Sequence, residues 1–139
     1  MRAKVVVLDT NIWISYFIKA KFSELVDLII DNDLLVYSFD ALIEELTEVL
    51  GRNKFSKYLT LPISDYIEFH QELVTIVKPK IKYTSSPDPK DNFLFDLTIQ
   101  HKARYLVTGD RKLLALGKVE NVEIMSLTAF KTLVSSRNS

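Results

Sequence analysis

Val5-Val6-Val7-Leu8 runs straight into Asp9-Thr10-Asn11, and this junction constrains the fold more than any other stretch of the chain. Four consecutive apolar residues, three of them β-branched, make a short strand buried on both faces, the habit of a central parallel strand. In open α/β sheets the working residues sit just past the carboxyl ends of strands, where loops diverge and leave a crevice. Asp9 stands at such an end. Aspartate is also a favoured helix N-cap, so on its own Asp9 reads first as the cap of the helix that follows. A chemical role requires other acids at equivalent strand ends.

Apolar periodicity along the chain alternates between the two regular structures. It predicts helices over residues 12–18, 23–31, 41–50, 65–74, 92–102 and 128–134, with a short one around Leu113, Leu114 and Leu116. Strands are expected at 34–37, 105–107 and 122–125, with a further edge strand at 76–81 carrying Lys78, Pro79 and Lys80. Ser38 or Asp40 is placed to cap the third helix, and Ser64 to open the fourth. Strands alternating with helices imply an α/β fold with a mainly parallel sheet covered on both sides. The 139 residues suit one domain over 1–134, with 135–139 as a flexible tail.

Composition narrows the chemistry. There is no cysteine, so disulfides, thiolate metal sites and thiol nucleophiles are excluded. Eighteen basic and eighteen acidic side chains balance, so any nucleic-acid surface must be local. The sequence offers neither a signal peptide nor an apolar run of membrane-spanning length, which points to a cytoplasmic protein without membrane contact.

The acids then sort by position. On the helix over 41–50, Leu42, Ile43, Leu46, Val49 and Leu50 form one stripe; Glu44 and Glu48 fall opposite it, and Glu45 lies on its flank. Glu45 is thus partly buried, either paired with a nearby cation or chemically employed. Tyr105-Leu106-Val107 ends in Thr108-Gly109-Asp110, repeating the pattern of the first strand. Asp88 and Asp91 flank a proline at the entry to the helix over 92–102; they suit a helix N-terminus and also a cation site, with Asp96 one turn on. Right-handed crossovers bring the strand ends to one edge, where Asp9, Glu45, Asp91 and Asp110 converge. Clustered carboxylates repel unless a cation neutralises them, and an all-oxygen set selects Mg²⁺ or Mn²⁺. His70 and His101 have no ligand at metal spacing and read as structural. Phe55 and Tyr58, interleaved with Lys54 and Lys57, form either an anchored loop or a patch for a nucleic-acid backbone and base.

Val-Leu-Asp9-Thr-Asn11, Glu45-Leu-Thr-Glu-Val-Leu with a following Arg and Lys-Phe, Asp88-Pro-Lys-Asp91-Asn, and Tyr-Leu-Val-Thr108-Gly-Asp110 occur in this order across nearly the whole chain. Together they resemble PIN-domain ribonucleases, and more narrowly the PIN proteins that are toxin components of toxin–antitoxin systems. The resemblance implies a three-layer α/β/α sandwich and a metal-dependent endoribonuclease acting on single-stranded RNA. It implies that Asp9, Glu45, Asp91 and Asp110 are the catalytic and metal-holding acids, joined by Asp88 and Asp96 as further candidates. Asn11 and Thr108 match the supporting polar positions. Lys54, Lys57, Lys90, Arg111 and Lys112 are the candidates for RNA backbone contacts. Many relatives carry another acid two residues beyond the Asp110 position; Lys112 stands there instead, which puts a strict two-metal mechanism in doubt. A small antitoxin protein would be the partner. A homodimer is expected from the resemblance and from the wide apolar arc of Trp13, Tyr16, Phe17, Leu25, Ile29 and Ile30.

Three other readings compete. A haloacid-dehalogenase type phosphotransferase needs a second Asp where Asn11 stands, and a response-regulator receiver needs paired acids at the first strand end. The third is a catalytically silent PIN-like domain that binds RNA or a protein partner.

Overall fold

The computed structural model describes residues 4–80 and 89–137. The chain opens with β1 (Lys4–Leu8), α1 (Thr10–Ile18), α2 (Phe22–Asp31), β2 (Leu34–Ser38), α3 (Asp40–Leu50), a 3-10 turn (Asn53–Phe55), α4 (Ile63–Leu73) and β3 (Thr75–Ile76). It continues with α5 (Pro89–Gln100), β4 (Tyr105–Val107), α6 (Arg111–Leu116), β5 (Lys118–Val119), β6 (Val122–Met125) and α7 (Leu127–Arg137). The sheet order is β3-β2-β1-β4-β6-β5, parallel throughout except for β5 against β6.

β1 lies inside this sheet and is buried on both faces. Val6 and Leu8 point into one core with Trp13, Phe17, Leu25, Tyr66 and Phe130. Val7 points into the other with Phe39, Leu42, Phe95, Leu97 and Leu113. The strict alternation of a strand produces two cores from one run, hence three layers. Each fully buried Val or Leu contributes roughly 1.5–3 kcal/mol, so β1 ranks among the costliest segments to disturb.

The order of strands decides where a site can form. From β1 the chain moves to β2 and β3 on one side. It then crosses back through α5 to place β4 on the other side of β1. The direction of travel reverses between β1 and β4. Register pairs Val6 with Tyr105, Val7 with Leu106 and Leu8 with Val107. The next residues, Asp9 and Thr108, therefore leave the sheet side by side at the switch point.

Several local features differ from the sequence reading. Phe39, not Ser38 or Asp40, is the N-cap of α3, and Asp40 is its first residue. The Ser38 hydroxyl is bonded to His70 Nε2 at 2.8 Å and is not available as a cap. α4 opens after Pro62, one residue before Ser64. The edge strand is only Thr75–Ile76; beyond it, Val77 N–H still donates to the Ser38 carbonyl at 2.9 Å, and Pro79 has no N–H to continue a ladder. α5 starts earlier than expected, with Pro89 at its first position, where the missing N–H costs nothing. It ends before Lys102, whose φ of 54° is left-handed. The short hairpin of β5 with β6 is an addition; its turn, Glu120-Asn121, lacks a glycine signal. α7 reaches Arg137, three residues past the expected end.

The apolar arc on α1 and α2 is consumed within the protomer. Trp13, Tyr16, Phe17, Leu25 and Ile29 are buried in its own core, and of the six only Ile30 is exposed, at 67%. The packing argument for a homodimer is thereby removed. Among the described residues, no helix is long and apolar enough to cross a membrane.

Candidate active site

Asp9 is both helix cap and strand-end acid. Its Oδ1 accepts from the N–H of Thr10 at 2.7 Å, capping α1. Its Oδ2 accepts from Thr108 Oγ1 at 2.7 Å and from Asn11 Nδ2 at 3.2 Å. At 7% exposure the carboxylate is held in place but still reaches a surface cavity.

Thr108 is the hub of the switch point. Fully buried at the end of β4, its hydroxyl donates to Asp9 and accepts from Asn11 Nδ2 at 3.4 Å and from the N–H of Asp110 at 3.0 Å. A hydroxyl has one proton and two lone pairs, so these partners use all of it. Asn11 completes the tie, accepting from the N–H of Gly109 at 2.9 Å through Oδ1. Asp110 caps α6, with Oδ1 accepting from the N–H of Lys112 at 2.8 Å. The four residues form one hydrogen-bonded unit joining β1 to β4.

This unit forms part of the wall of a cavity of about 360 Å³ in which Asp9, Asn11, Glu45 and Asp110 meet. Glu45 arrives from α3, half-buried as its helical phase requires. Periodicity accounts for the other lining residues. Asn11, Ile14, Ser15 and Ile18 fall on one face of α1; Glu45, Val49 and Arg52 follow one face of α3 into its C-terminal turn. Leu94 brings α5 to the same cavity.

Asp91 lies in the first turn of α5, one turn before Leu94, but its side chain and that of Lys90 are outside the described residues, as is the whole of Asp88. Asp96 does not join the site. It is 3% exposed, lines a separate cavity with Phe39, Asp40 and Val77, and accepts from Gln100 Nε2 at 3.2 Å. Its phase on α5 explains this: Leu94 faces one cavity and Asp96, two residues on, faces another.

Of the basic candidates, Lys54 and Lys57 are exposed, with Nζ 5.0 Å from the Phe55 centroid and 5.1 Å from that of Tyr58. Arg111 and Lys112 are exposed in the first turn of α6 beside Asp110. Arg52 was missed as a site residue. It lines the cavity and donates to Glu48 through Nε at 3.3 Å and Nη2 at 2.9 Å. The signal was present in the sequence as the seven-residue spacing from Glu45, two helical turns.

His70 is structural, as expected. It is fully buried, bonded to Ser38, with its ring 4.2 Å from that of Trp13. Burial lowers its pKa from 6.5 to about 4. His101 packs edge-on against Tyr37.

The carboxylates around the cavity form an all-oxygen donor set suited to a hard divalent cation. Among the described residues, no three acids or histidines already stand at the spacing of a closed metal site. The donor chemistry fits such an ion, and Asp91 stands on α5 one turn before Leu94, which lines the cavity.

The fold and cavity define a three-layer α/β domain with acids at its topological switch point. Residues 5–112, from β1 into α6, match the family model of the PIN domain, and the chain belongs to that family. The fold is accordingly of nuclease type, in a family generally dependent on divalent metals. Comparison with curated proteins finds no match.

Proposed function

We propose that this PIN domain is an endoribonuclease that hydrolyses phosphodiester bonds of single-stranded RNA with Mg²⁺ or Mn²⁺. The observation that carries the reading is the meeting of Asp9, Glu45 and Asp110 in one cavity, with Thr108 and Asn11 locking the Asp9 carboxylate. Asp9, Asp91 and Asp110, with Glu45, would hold the ion. A divalent ion bound by them supplies Lewis-acid activation of the scissile phosphate and of the attacking water.

The chain's own residues do the rest. Thr108 and Asn11 donate to Oδ2 of Asp9 and fix its orientation. Asp110 is aimed by the cap it makes on α6. Glu45 is placed as an acceptor that orients the nucleophilic water. Lys54, Lys57, Arg111 and Lys112 offer exposed cations to the RNA backbone, and Lys90 joins them by position in the sequence. The intact acid set supports this reading over that of a silent RNA-binding or protein-binding domain.

Purified protein should cut mixed single-stranded RNA in Mg²⁺ or Mn²⁺ and stop in EDTA. Cleavage that persists in EDTA, or none with either ion, would overturn the proposal. A readout independent of activity is thermal stability. Mn²⁺ bound to the folded state alone stabilises it by about 2.7 kcal/mol at a hundredfold excess over Kd. Asp91→Asn should gain less than the wild type. A toxin role belongs to the same proposal: expression should arrest growth, and a small antitoxin protein should relieve the arrest. A homodimer, which rests on the family resemblance alone, is tested by light scattering.

A further inference from the structure

The carboxylates do not account for the whole cavity. They share it with Ile14, Ile18, Val49, Leu94 and Phe55, and with Arg52. Hydrolysis of a phosphodiester needs no hydrocarbon wall open to solvent beside its acids. Something apolar and flat would gain from that wall, and the cavity, about 360 Å³, lies within the range of small-molecule sites, roughly 300–1,000 Å³.

Two of the lining residues, Phe55 and Arg52, carry planar groups. Phe55 is half-buried at the end of the 3-10 turn. The Arg52 guanidinium is held along one edge by the two bonds to Glu48, which constrain its plane while leaving its faces for stacking. Lys54 Nζ, 5.0 Å from the Phe55 ring centroid, brings a cation to the same aromatic. An aromatic, a stackable guanidinium and a lysine beside one another form the combination that binds unpaired nucleotides: π-faces for the base and a cation for the backbone.

We propose that this wall is a seat for one unpaired base of the RNA, stacked by Phe55 and Arg52, next to the phosphate that faces the acids. The proposal deepens the ribonuclease reading and rests on it for the identity of the ligand. It makes the site selective for single strands, because a base held in a duplex cannot enter. It also makes the seat tolerant of base identity, since stacking on hydrocarbon and guanidinium reads the π-face and not the hydrogen-bonding edge. Adenine, with the larger face, is favoured over uracil.

The test uses two labelled hexamers, oligoadenylate and the same ribose–phosphate chain without bases. Binding to the whole protein is read by fluorescence anisotropy in Ca²⁺, with strand integrity checked on a gel. The wild type should bind oligoadenylate about tenfold more tightly than the baseless strand, a typical stacking effect. Phe55→Ala should erase that margin while leaving the baseless strand within about twofold. Phe55→Trp should restore it, and Lys54→Gln should weaken both strands alike. Equal binding of the two strands by the wild type, binding of neither, or a Phe55→Ala loss equal on both strands would overturn the proposal. A base margin in a protein that cuts no RNA in Mg²⁺ or Mn²⁺ would support the seat and sink the ribonuclease reading. Cleavage without any base margin would do the reverse.

Discussion

Two neighbouring strands end in polar groups, and the two ends have opposite fates. β1 runs into Asp9, which is locked by Thr108 and Asn11 and still reaches a cavity shared with two other acids. β2 ends in Ser38, which is fully buried, bonded to His70 and covered by the Trp13 contact to that ring. The chemistry of the residues does not explain the difference, since a hydroxyl and an ionisable group occur at both, Thr108 with Asp9 and Ser38 with His70. Topology does. The path of the chain reverses between β1 and β4, so connections part there. Between β1, β2 and β3 it keeps one direction, and α4 closes over the end. A polar group at the first position borders an open cavity; at the second it is part of the core.

The contrast can be broken from either side. The largest effect is expected at Asp9. Asp9→Asn keeps the shape and removes the charge, and cleavage rate should fall beyond the roughly 10–100-fold typical of residues that only support metal ligands. Circular dichroism should show an intact fold. A loss of less than tenfold would place the chemistry elsewhere.

At the sealed end the expected effect is on stability. With its pKa lowered from 6.5 to about 4, His70 takes up a proton more readily in the unfolded chain than in the fold. Its contribution is complete above pH 6.5 and declines as pH falls toward 4, by roughly 3 kcal/mol in all. Denaturant titrations across this window should show the decline in the wild type, and a flatter slope in His70→Gln whatever its absolute stability. Equal slopes would mean that His70 is not sealed.

Thr108 joins strand end to cavity. Thr108→Val leaves the Asp9 carboxylate without its 2.7 Å donor, and activity should drop about 10–100-fold. Thr108→Ser should recover most of it, because the hydroxyl is the working group. The smallest effects separate the glutamates of α3. Glu45→Gln should lower kcat about tenfold, the weak end of the effect of groups that support a bound metal, roughly 10–100-fold. Glu48→Gln, which frees Arg52, should act mainly on KM. Exposed Glu44→Gln should change neither by more than about twofold. Equal effects of all three would mean that only their charge matters.

Much of this arrangement was legible from residue order. An unbroken apolar run ending in an acid suits a doubly buried strand with its acid at the rim; Asp9 follows this pattern directly, and Asp110 follows it just beyond Thr108-Gly109 at the end of β4. Helical phase separated Glu45 from Glu44 and Glu48. The same phase, carried past the end of α3, brings Arg52 to the cavity with Glu45 and Val49. Asp96, suggested by its place one turn from Asn92, lines a different cavity from Leu94, two residues before it on α5. Ser38 was misassigned for a different reason. A hydroxyl before a helix signals a cap locally, whereas its actual partner, His70, lies 32 residues away, and no local pattern reports such a bond. The β5–β6 hairpin was hidden because its turn lacks the usual residues.

The bond from Thr108 to Asp9 spans 99 residues of chain. During synthesis the N-terminal acid emerges first, followed by α1, which it caps, yet its second oxygen has no hydroxyl to orient it until β4 has been made. Contacts so distant in sequence form late, after the loop between them has closed. A chain that stops short of β4 therefore lacks the complete candidate site, however much of what precedes it has folded. Until residue 108 has been made, Asp9 can cap α1 but its second oxygen cannot be oriented at the cavity.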